Sequence, residues 1–366
     1  MTLPEFQGSP PLLVERHLHQ MTILLNRPHL INALSLEMIR DFQNALDEAE
    51  NEADLQFVVL LGNGVRGFCA GGDLRALAEA VRRKDFEEAD RFFKQEYALD
   101  LRIHRFPKPI LVLADGITMG GGLGLSAGAD FVVATENSRM AMPETQIGFF
   151  PDVGASRWLF DKCPGGYPEF LGLTGYELIG AECVRVGLAS GLVQAGRLAE
   201  VRKKCEGFSG SLARNRKEAV LQLWNLINPF FVPVITQRPE MDHWVADHFS
   251  GKQSLQEIKA SLSQDPLHHP LSLEALQRLE EHSPTALVLT LQLLRLNQRR
   301  PLEEAFSVEA EAAQFIIQHP DYLEGIRARL LDRDNHPRWQ PSRIEEVPPF
   351  ENFFNSFDLG RERPNE

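Results

Sequence analysis

Residues 119–153 read M-G-G-G-L-G-L-S-A-G-A-D-F-V-V-A-T-E-N-S-R-M-A-M-P-E-T-Q-I-G-F-F-P-D-V, and the fold and chemistry of the chain are decided here. The triple glycine Gly120-Gly121-Gly122 follows an aliphatic run, Ile110–Ala114, and precedes a run of mostly small residues, Leu123–Ala129. Strand, glycine turn and helix in that order leave the first helical amides unpaired and add the positive end of the helix dipole. Small residues also let a ligand approach the backbone closely. Taken alone, a triple glycine is equally a tight turn with close helix packing. Downstream, Pro143 restricts Met142 to extended conformations, which disfavours a helix interior there. Glu144 then enters the apolar neighbourhood Ile147 to Phe150, where burial raises a carboxyl pKa as a general base or acid requires. Asp152 follows in a Pro-Asp-Val-Gly turn, where the plainer role is to bond its own backbone.

A second glycine turn, Phe68-Cys69-Ala70-Gly71-Gly72-Asp73, lies upstream and can supply another free amide. Paired amides beside a carboxylate suit chemistry on an acyl group whose carbonyl oxygen becomes negative. Between Leu74 and Phe106 the chain is a long charged helical stretch. Glu96 sits on it with Phe92 and Phe93 at i−4 and i−3 and Leu99 at i+3, which puts its carboxylate beside an apolar stripe. The plainer reading of Glu96 is a half-buried ion-pair partner. Pro107-Lys108-Pro109 ends the helix and starts a strand.

The first two hundred or so residues alternate strand-like and helical patterns. Thr22–Leu25, Phe57–Leu61, Ile110–Leu113 and Phe131–Ala134 read as buried strands. Ser35 caps a helix with Leu36, Ile39, Phe42, Leu46 and Ala49 at helical spacing. Such alternation implies an α/β fold with parallel or mixed sheets. After about Gln194 helices take over, with starts at Ser283-Pro284, Pro301 and Pro320-Asp321. The expected organisation is a core at 12–200 carrying the site, a helical domain at 201–346 and a tail at 347–366. The ends, Met1–Pro11 and Arg361–Glu366, are the disorder-like segments.

At 366 residues, 43% apolar and 24% charged, the composition is that of an ordinary globular protein. A formal net charge of −13 with no basic face argues against nucleic acid. An anionic group must then be met by a local basic patch or by helix N-termini. Cys69, Cys163, Cys183 and Cys205 show no metal-like or C-x-x-C spacing and read as free thiols. Met1–Pro11 lacks a signal-peptide pattern, and no apolar run is long enough to span a bilayer. The expected location is cytoplasmic, with the mitochondrial matrix as the eukaryotic alternative.

The order and spacing of four motifs carry more than any one of them. L-N-R-P-x-x-x-N-A-L (Leu25 to Leu34), F-C-A-G-G-D (Phe68 to Asp73), G-I-T-M-G-G-G-L-G-L-S (Gly116 to Ser126) and A-M-P-E-T-x-I-G-F-F-P-D-V-G (Ala141 to Gly154) together resemble the crotonase, or enoyl-CoA hydratase/isomerase, superfamily. The paired P-E-T and P-D-V-G segments are most similar to its 3-hydroxyisobutyryl-CoA hydrolase branch. So are the tail segments S-P-T-A-L (Ser283 to Leu287), L-E-E-A (Leu302 to Ala305), E-G-I-R-A (Glu324 to Ala328) and L-D-R-D-N-H-P-R-W (Leu331 to Trp339).

The resemblance implies a spiral of β-β-α turns with C-terminal helices over the active site or a neighbouring subunit, so a homo-oligomer is open. It implies a thioester oxyanion hole from the amides of Gly72 and Gly121, and Glu144 as catalytic carboxylate. Asp152 is then the second acid, reading a 3-hydroxyl and assisting the leaving thiolate, and Glu96 a substrate contact. Arg27 and Lys108 fall near positions that meet the phosphates of coenzyme A, itself part of the acyl-CoA substrate. No separate cofactor, metal or membrane partner is implied. One departure matters. Hydratases of the superfamily carry a glutamate in a G-G-G-x-E pattern, and here that position is Gly124. Syn addition of water needs two carboxylates on one water, so hydration is disfavoured and hydrolysis of a short 3-hydroxyacyl-CoA is expected.

Overall fold

The computed structural model describes residues 9–265 and 269–350. The strands are β1 (Leu12–Arg16), β2 (Gln20–Leu25), β3 (Phe57–Gly62), β4 (Gly67–Cys69), β5 (Ile110–Ala114), β6 (Ile117–Met119), β7 (Phe131–Ala134), β8 (Arg139–Ala141), β9 (Leu178–Ile179) and β10 (Gly191–Leu192). They form one sheet in the order β1-β2-β3-β5-β7-β10 and a second in the order β4-β6-β8-β9. All pairings are parallel except β1 with β2 and β8 with β9.

The helices of the spiral are α1 (Leu36–Asn51), α2 (Leu74–Arg82), α3 (Phe86–His104), α4 (Gly121–Ala127), α5 (Ala155–Lys162), α6 (Tyr167–Thr174), α7 (Ala181–Arg185) and α8 (Leu198–Glu206). The chain lays one strand in the large sheet, one in the small sheet, then a helix, and repeats: β3-β4-α2/α3, then β5-β6-α4. In the first turn an isolated parallel bridge between Leu34 and Gly72 takes the place of the small-sheet strand. The spiral of β-β-α turns expected from the motifs is therefore present.

The central strands read as unbroken apolar runs because both faces of the large sheet are covered. Val58 and Leu60 of β3, with Val112 of β5, face the main core. Phe57, Val59, Leu111 and Leu113 point the other way, onto Val201 of α8 and Leu223 and Ile227 of α9 (Arg216–Ile227). A strand period of two thus feeds two separate apolar clusters.

The remaining helices are α10 (Pro239–Phe249), α11 (Leu255–Ser263), α12 (Pro270–Glu281), α13 (Pro284–Asn297), α14 (Leu302–Ile316) and α15 (Pro320–Ile326). The starts expected at Ser283-Pro284, Pro301 and Pro320 are found, with Ser283 accepting from the Ala286 amide as N-cap of α13. One core cluster runs from Leu12 to Phe350, so spiral and helical tail share it. The boundary expected at residues 200 and 201 lies inside α8, and Val347 and Phe350 of the expected tail pack on the core. Residues 351–366 of that tail lie outside the described residues, as does most of the N-terminal segment expected to be disordered.

The charged stretch from Leu74 to Phe106 is two helices. Lys84 adopts a left-handed φ of 58°, and the Asp85 side chain accepts from the Glu88 amide at 3.0 Å to start α3 afresh. A capping residue there overrides the continuous helical pattern.

Candidate active site

The Gly71-Gly72 bend is fixed by local bonds. The Leu34 amide donates to the Gly71 carbonyl at 2.8 Å and the Asp73 amide to the Leu34 carbonyl at 2.9 Å. Asp73 caps α2 and receives the Arg27 guanidinium at 2.8 Å, while the other Arg27 nitrogen donates to the Ala33 carbonyl at 2.7 Å. The second bend is Gly120, at φ 51° and ψ −124°, a conformation that suits glycine. Gly121 follows as first residue of α4, where an amide has no intrahelical acceptor.

The two bends abut. A β-carbon on Gly71 would lie 3.2 Å from the Gly121 nitrogen, and one on Gly121 would lie 3.5 Å from the Gly71 α-carbon. Neither the Gly72 nor the Gly121 amide has an acceptor among the described residues. Glu144 opens a short 3-10 turn, Glu144–Ile147, and its Oε1 lies 2.7 Å from where a β-carbon on Gly120 would stand. Glu96 covers the other side, since a β-carbon on Gly121 would collide with its Oε1. Any side chain at Gly120 or Gly121 would displace a carboxylate.

Gly72, Gly121, Glu96, Glu144 and Asp152 all line one cavity of about 480 Å³. Its apolar wall is Phe92, Phe93 and Phe149, with the Phe93 and Phe149 rings stacked at 5.2 Å, and Tyr322 of α15 lies 5.7 Å from Phe149. Among the described residues lining it there is no serine, threonine, cysteine, histidine or lysine. The acid–base groups are the carboxylates, with Tyr322 buried beside them. Cys69 lies just behind the first bend, but burial pushes its thiol up to about 12, so it is no thiolate nucleophile.

Burial and mutual repulsion set the state of these acids. Glu144 is only 8% exposed, and desolvation, then the Asp152 charge, hold its pKa well above the ordinary range. Desolvation and Asp152 do the same to Glu96. Asp152 is pushed up only to about 7, because the Tyr97 hydroxyl donates to its Oδ2 at 2.7 Å and opposes the burial. Of the three buried acids Glu96, Glu144 and Asp152, Asp152 therefore loses its proton most readily. One Glu144 oxygen and one Glu96 oxygen are buried without a hydrogen-bond partner among the described residues, open to a substrate group or water.

Two sequence expectations are not met. Lys108 does not line the cavity; it donates to the carbonyls of Ala49 at 2.6 Å and Glu52 at 2.5 Å, neutralising the C-terminal end of α1. Arg27 does not line it either, and acts through Asp73 as a brace for the Gly72 bend. The guanidiniums at the cavity are Arg278 and Arg329, from the tail. A three-residue group that could hold a metal, Glu15, His17 and Glu206, lies apart from the cavity, and Arg202 already bonds both of its glutamates.

The model of the family described as enoyl-CoA hydratase/isomerase matches residues 20–354. The chain belongs to that family. It is 37% identical over 331 residues to the mitochondrial 3-hydroxyisobutyryl-CoA hydrolase of Gallus gallus, covering 89% of this chain and 83% of that one. The Homo sapiens protein of the same name is 35% identical over 325 residues, with the same two coverages. Among solved structures, an enoyl-CoA hydratase from Rhodobacter sphaeroides superposes with a TM-score of 0.82 at 32% identity, covering 94% of this chain and 96% of that one. A carnitinyl-CoA dehydratase from Mycobacterium thermoresistibile gives 0.84 at 29%, covering 97% and 98%.

Within this family the position after the triple glycine is informative. A β-carbon on Gly124 would lie 2.7 Å from the Val153 β-carbon and 2.9 Å from Asp100 Oδ2. The space for a side chain there is already filled. Val153 fills it by adopting a left-handed φ of 54°, a strain of about 1–3 kcal/mol for a β-branched residue. Asp100 was not picked out from the sequence, although it stands four residues after Glu96 on the same helical face. Tyr97, Tyr322 and Glu309 were missed too, and no local pattern marks them.

Proposed function

We propose that the chain hydrolyses the thioester of a short 3-hydroxyacyl-CoA, with 3-hydroxyisobutyryl-CoA giving 3-hydroxyisobutyrate and coenzyme A as the favoured reaction. The observation that carries this reading is the cavity lining: two abutting glycine amides, Glu144 against them, and no other nucleophile or base except carboxylates. The names of the relatives agree with it. The reading also includes the roles of Gly72, Gly121, Glu144, Asp152 and Glu96, and a catalytic cycle that needs no separate cofactor.

The Gly72 and Gly121 amides receive the thioester oxygen and hold the oxyanion, each worth roughly 2.7–4 kcal/mol of barrier. Glu144 either takes a proton from water as that water bonds to the carbonyl carbon, or attacks the carbon itself to give an anhydride that water then opens. In both routes the carbon–sulfur bond breaks as the tetrahedral centre collapses, and the sulfur leaves with a proton. Asp152, still partly protonated near neutrality, is placed to give that proton or to bind the 3-hydroxyl. Glu96, above Gly121, orients the hydroxyl. Hydration is disfavoured because position 124 carries no glutamate, its side-chain space being taken by Val153, and the Asp100 carboxylate behind it does not line the cavity where it could grip the water.

Thiol release measured across a panel of short acyl-CoAs tests the reading. Release from 3-hydroxyisobutyryl-CoA, and much slower release from the acyl-CoA lacking the hydroxyl, is expected. Loss of absorbance from an α,β-unsaturated acyl-CoA without any free thiol would instead establish a hydratase. A location in the cytoplasm or the mitochondrial matrix both fit, the relatives being named mitochondrial.

A further inference from the structure

We propose that Glu309, on helix α14 of the tail, is the positioning residue for Asp152, holding the turn that carries it in the geometry the reaction requires. Asp152, Val153 and Gly154 form a tight turn into α5, with two successive left-handed residues, Val153 at φ 54° and Gly154 at φ 79°. The Ala155 amide closes the turn on the Asp152 carbonyl at 2.9 Å. Glu309 reaches this turn from far along the chain. The Gly154 amide donates to its Oε2 at 2.6 Å, the Ser156 amide to its Oε1 at 3.1 Å, and the Ser156 hydroxyl to the same Oε1. Asn297 of α13 donates in turn to that hydroxyl oxygen at 2.8 Å.

The same helix makes a second contact with the turn. Phe306, three residues earlier on α14, lies against the turn: a β-carbon on Gly154 would come within 2.7 Å of its ring. Its other side meets the Tyr97 ring at 5.9 Å between centroids. Tyr97 is the residue whose hydroxyl donates to Asp152. One helix of the tail therefore fixes both the backbone beneath Asp152 and the donor above it.

A cap alone would not need this residue. Serine or asparagine satisfies helix amides without bringing a charge indoors. Glu309 is fully buried and bonds no cation among the described residues, and burial, then the Asp152 charge, push its pKa up to about 8 against the three donors. Such a placement is explained by what it does for the neighbouring turn. Two amides and a hydroxyl converging on one carboxylate hold a strained valine in place, and that valine occupies the space beside Gly124.

This inference rests on the proposed role of Asp152, and a double-mutant cycle separates the two. kcat and KM are measured by thiol release for the full chain, Glu309→Gln, Asp152→Asn and the double variant. In the otherwise native protein Glu309→Gln is expected to lower kcat about tenfold with KM changed less than about threefold. In the Asp152→Asn background it is expected to lower kcat by less than about twofold, since the group it positions is gone. An equal factor in both backgrounds, or no change in kcat in the native one, would overturn the proposal. Should Glu309→Gln fail to fold, Ser156→Ala removes one of the three donors and carries the same cycle, with about threefold expected in place of tenfold. If no acyl-CoA yields thiol, the proposed hydrolysis fails, and the same cycle is then read by the loss of absorbance of an α,β-unsaturated acyl-CoA, with the same outcomes deciding it.

Discussion

The two halves of the cavity are held in different ways. The glycine half, Gly71-Gly72 and Gly120-Gly121, is fixed by its own turn of the spiral: the Leu34 bridge, the Arg27–Asp73 pair and the first turn of α4. The acid half, Asp152 to Gly154, is fixed from outside by α13 and α14, through Glu309, Asn297 and Phe306.

Glu144 joins the halves, touching Gly120 and feeling the Asp152 charge, and its loss is expected to be the largest effect. Glu144→Gln should lower kcat for thiol release by about 10³-fold, close to 4 kcal/mol of barrier. A loss below about tenfold, roughly 1.4 kcal/mol, would mean that the chemistry lies wholly in the acid half and the comparison fails.

A smaller effect probes the acid half alone. Asp100 is fully buried, both of its carboxylate oxygens lack a hydrogen-bond partner among the described residues, and desolvation followed by Glu96 raises its pKa well above the ordinary 3.8. The folded chain therefore keeps a proton that the unfolded chain releases. Stability is highest below the unfolded value and falls as pH rises toward the folded one, by up to about 1.4 kcal/mol per pH unit. Asp100→Asn removes that proton exchange, so the fall in Tm between about pH 5 and pH 8 should become shallower. An unchanged slope would show that Asp100 is already ionised in the folded protein.

The same contrast explains what could be read from the sequence. The glycine half is written in contiguous motifs: F-C-A-G-G-D and M-G-G-G supply both bends, and Asn32 of the first motif donates to the carbonyls of Asn63, Gly67 and Phe68 to align the strands. The long strands β2, β3, β5 and β7 were legible because both faces are buried. The small-sheet strands β4, β6 and β8 have three residues each, too few for any period to register. Lys108 and Arg27 were expected near the coenzyme A phosphates through the resemblance alone, and a cation's partners are set by tertiary packing: one bonds a helix end and the other Asp73. The acid half was legible only at Asp152 itself. Glu309, Tyr97 and Tyr322 are single residues whose meaning arises from where α14, α3 and α15 come to lie.

The glycine half acts on one atom, the thioester oxygen, and its polarisation is the central claim. The carbonyl stretch of an isotopically labelled acyl-CoA bound to Glu144→Gln, which holds substrate without turning it over, reads it by infrared difference spectroscopy. The band is expected to move to lower frequency than in water, and to move back when Gly121→Ala is added and the β-carbon displaces Glu96 and the bend. A band at its solution frequency in the Glu144→Gln protein, unaffected by Gly121→Ala, would contradict it.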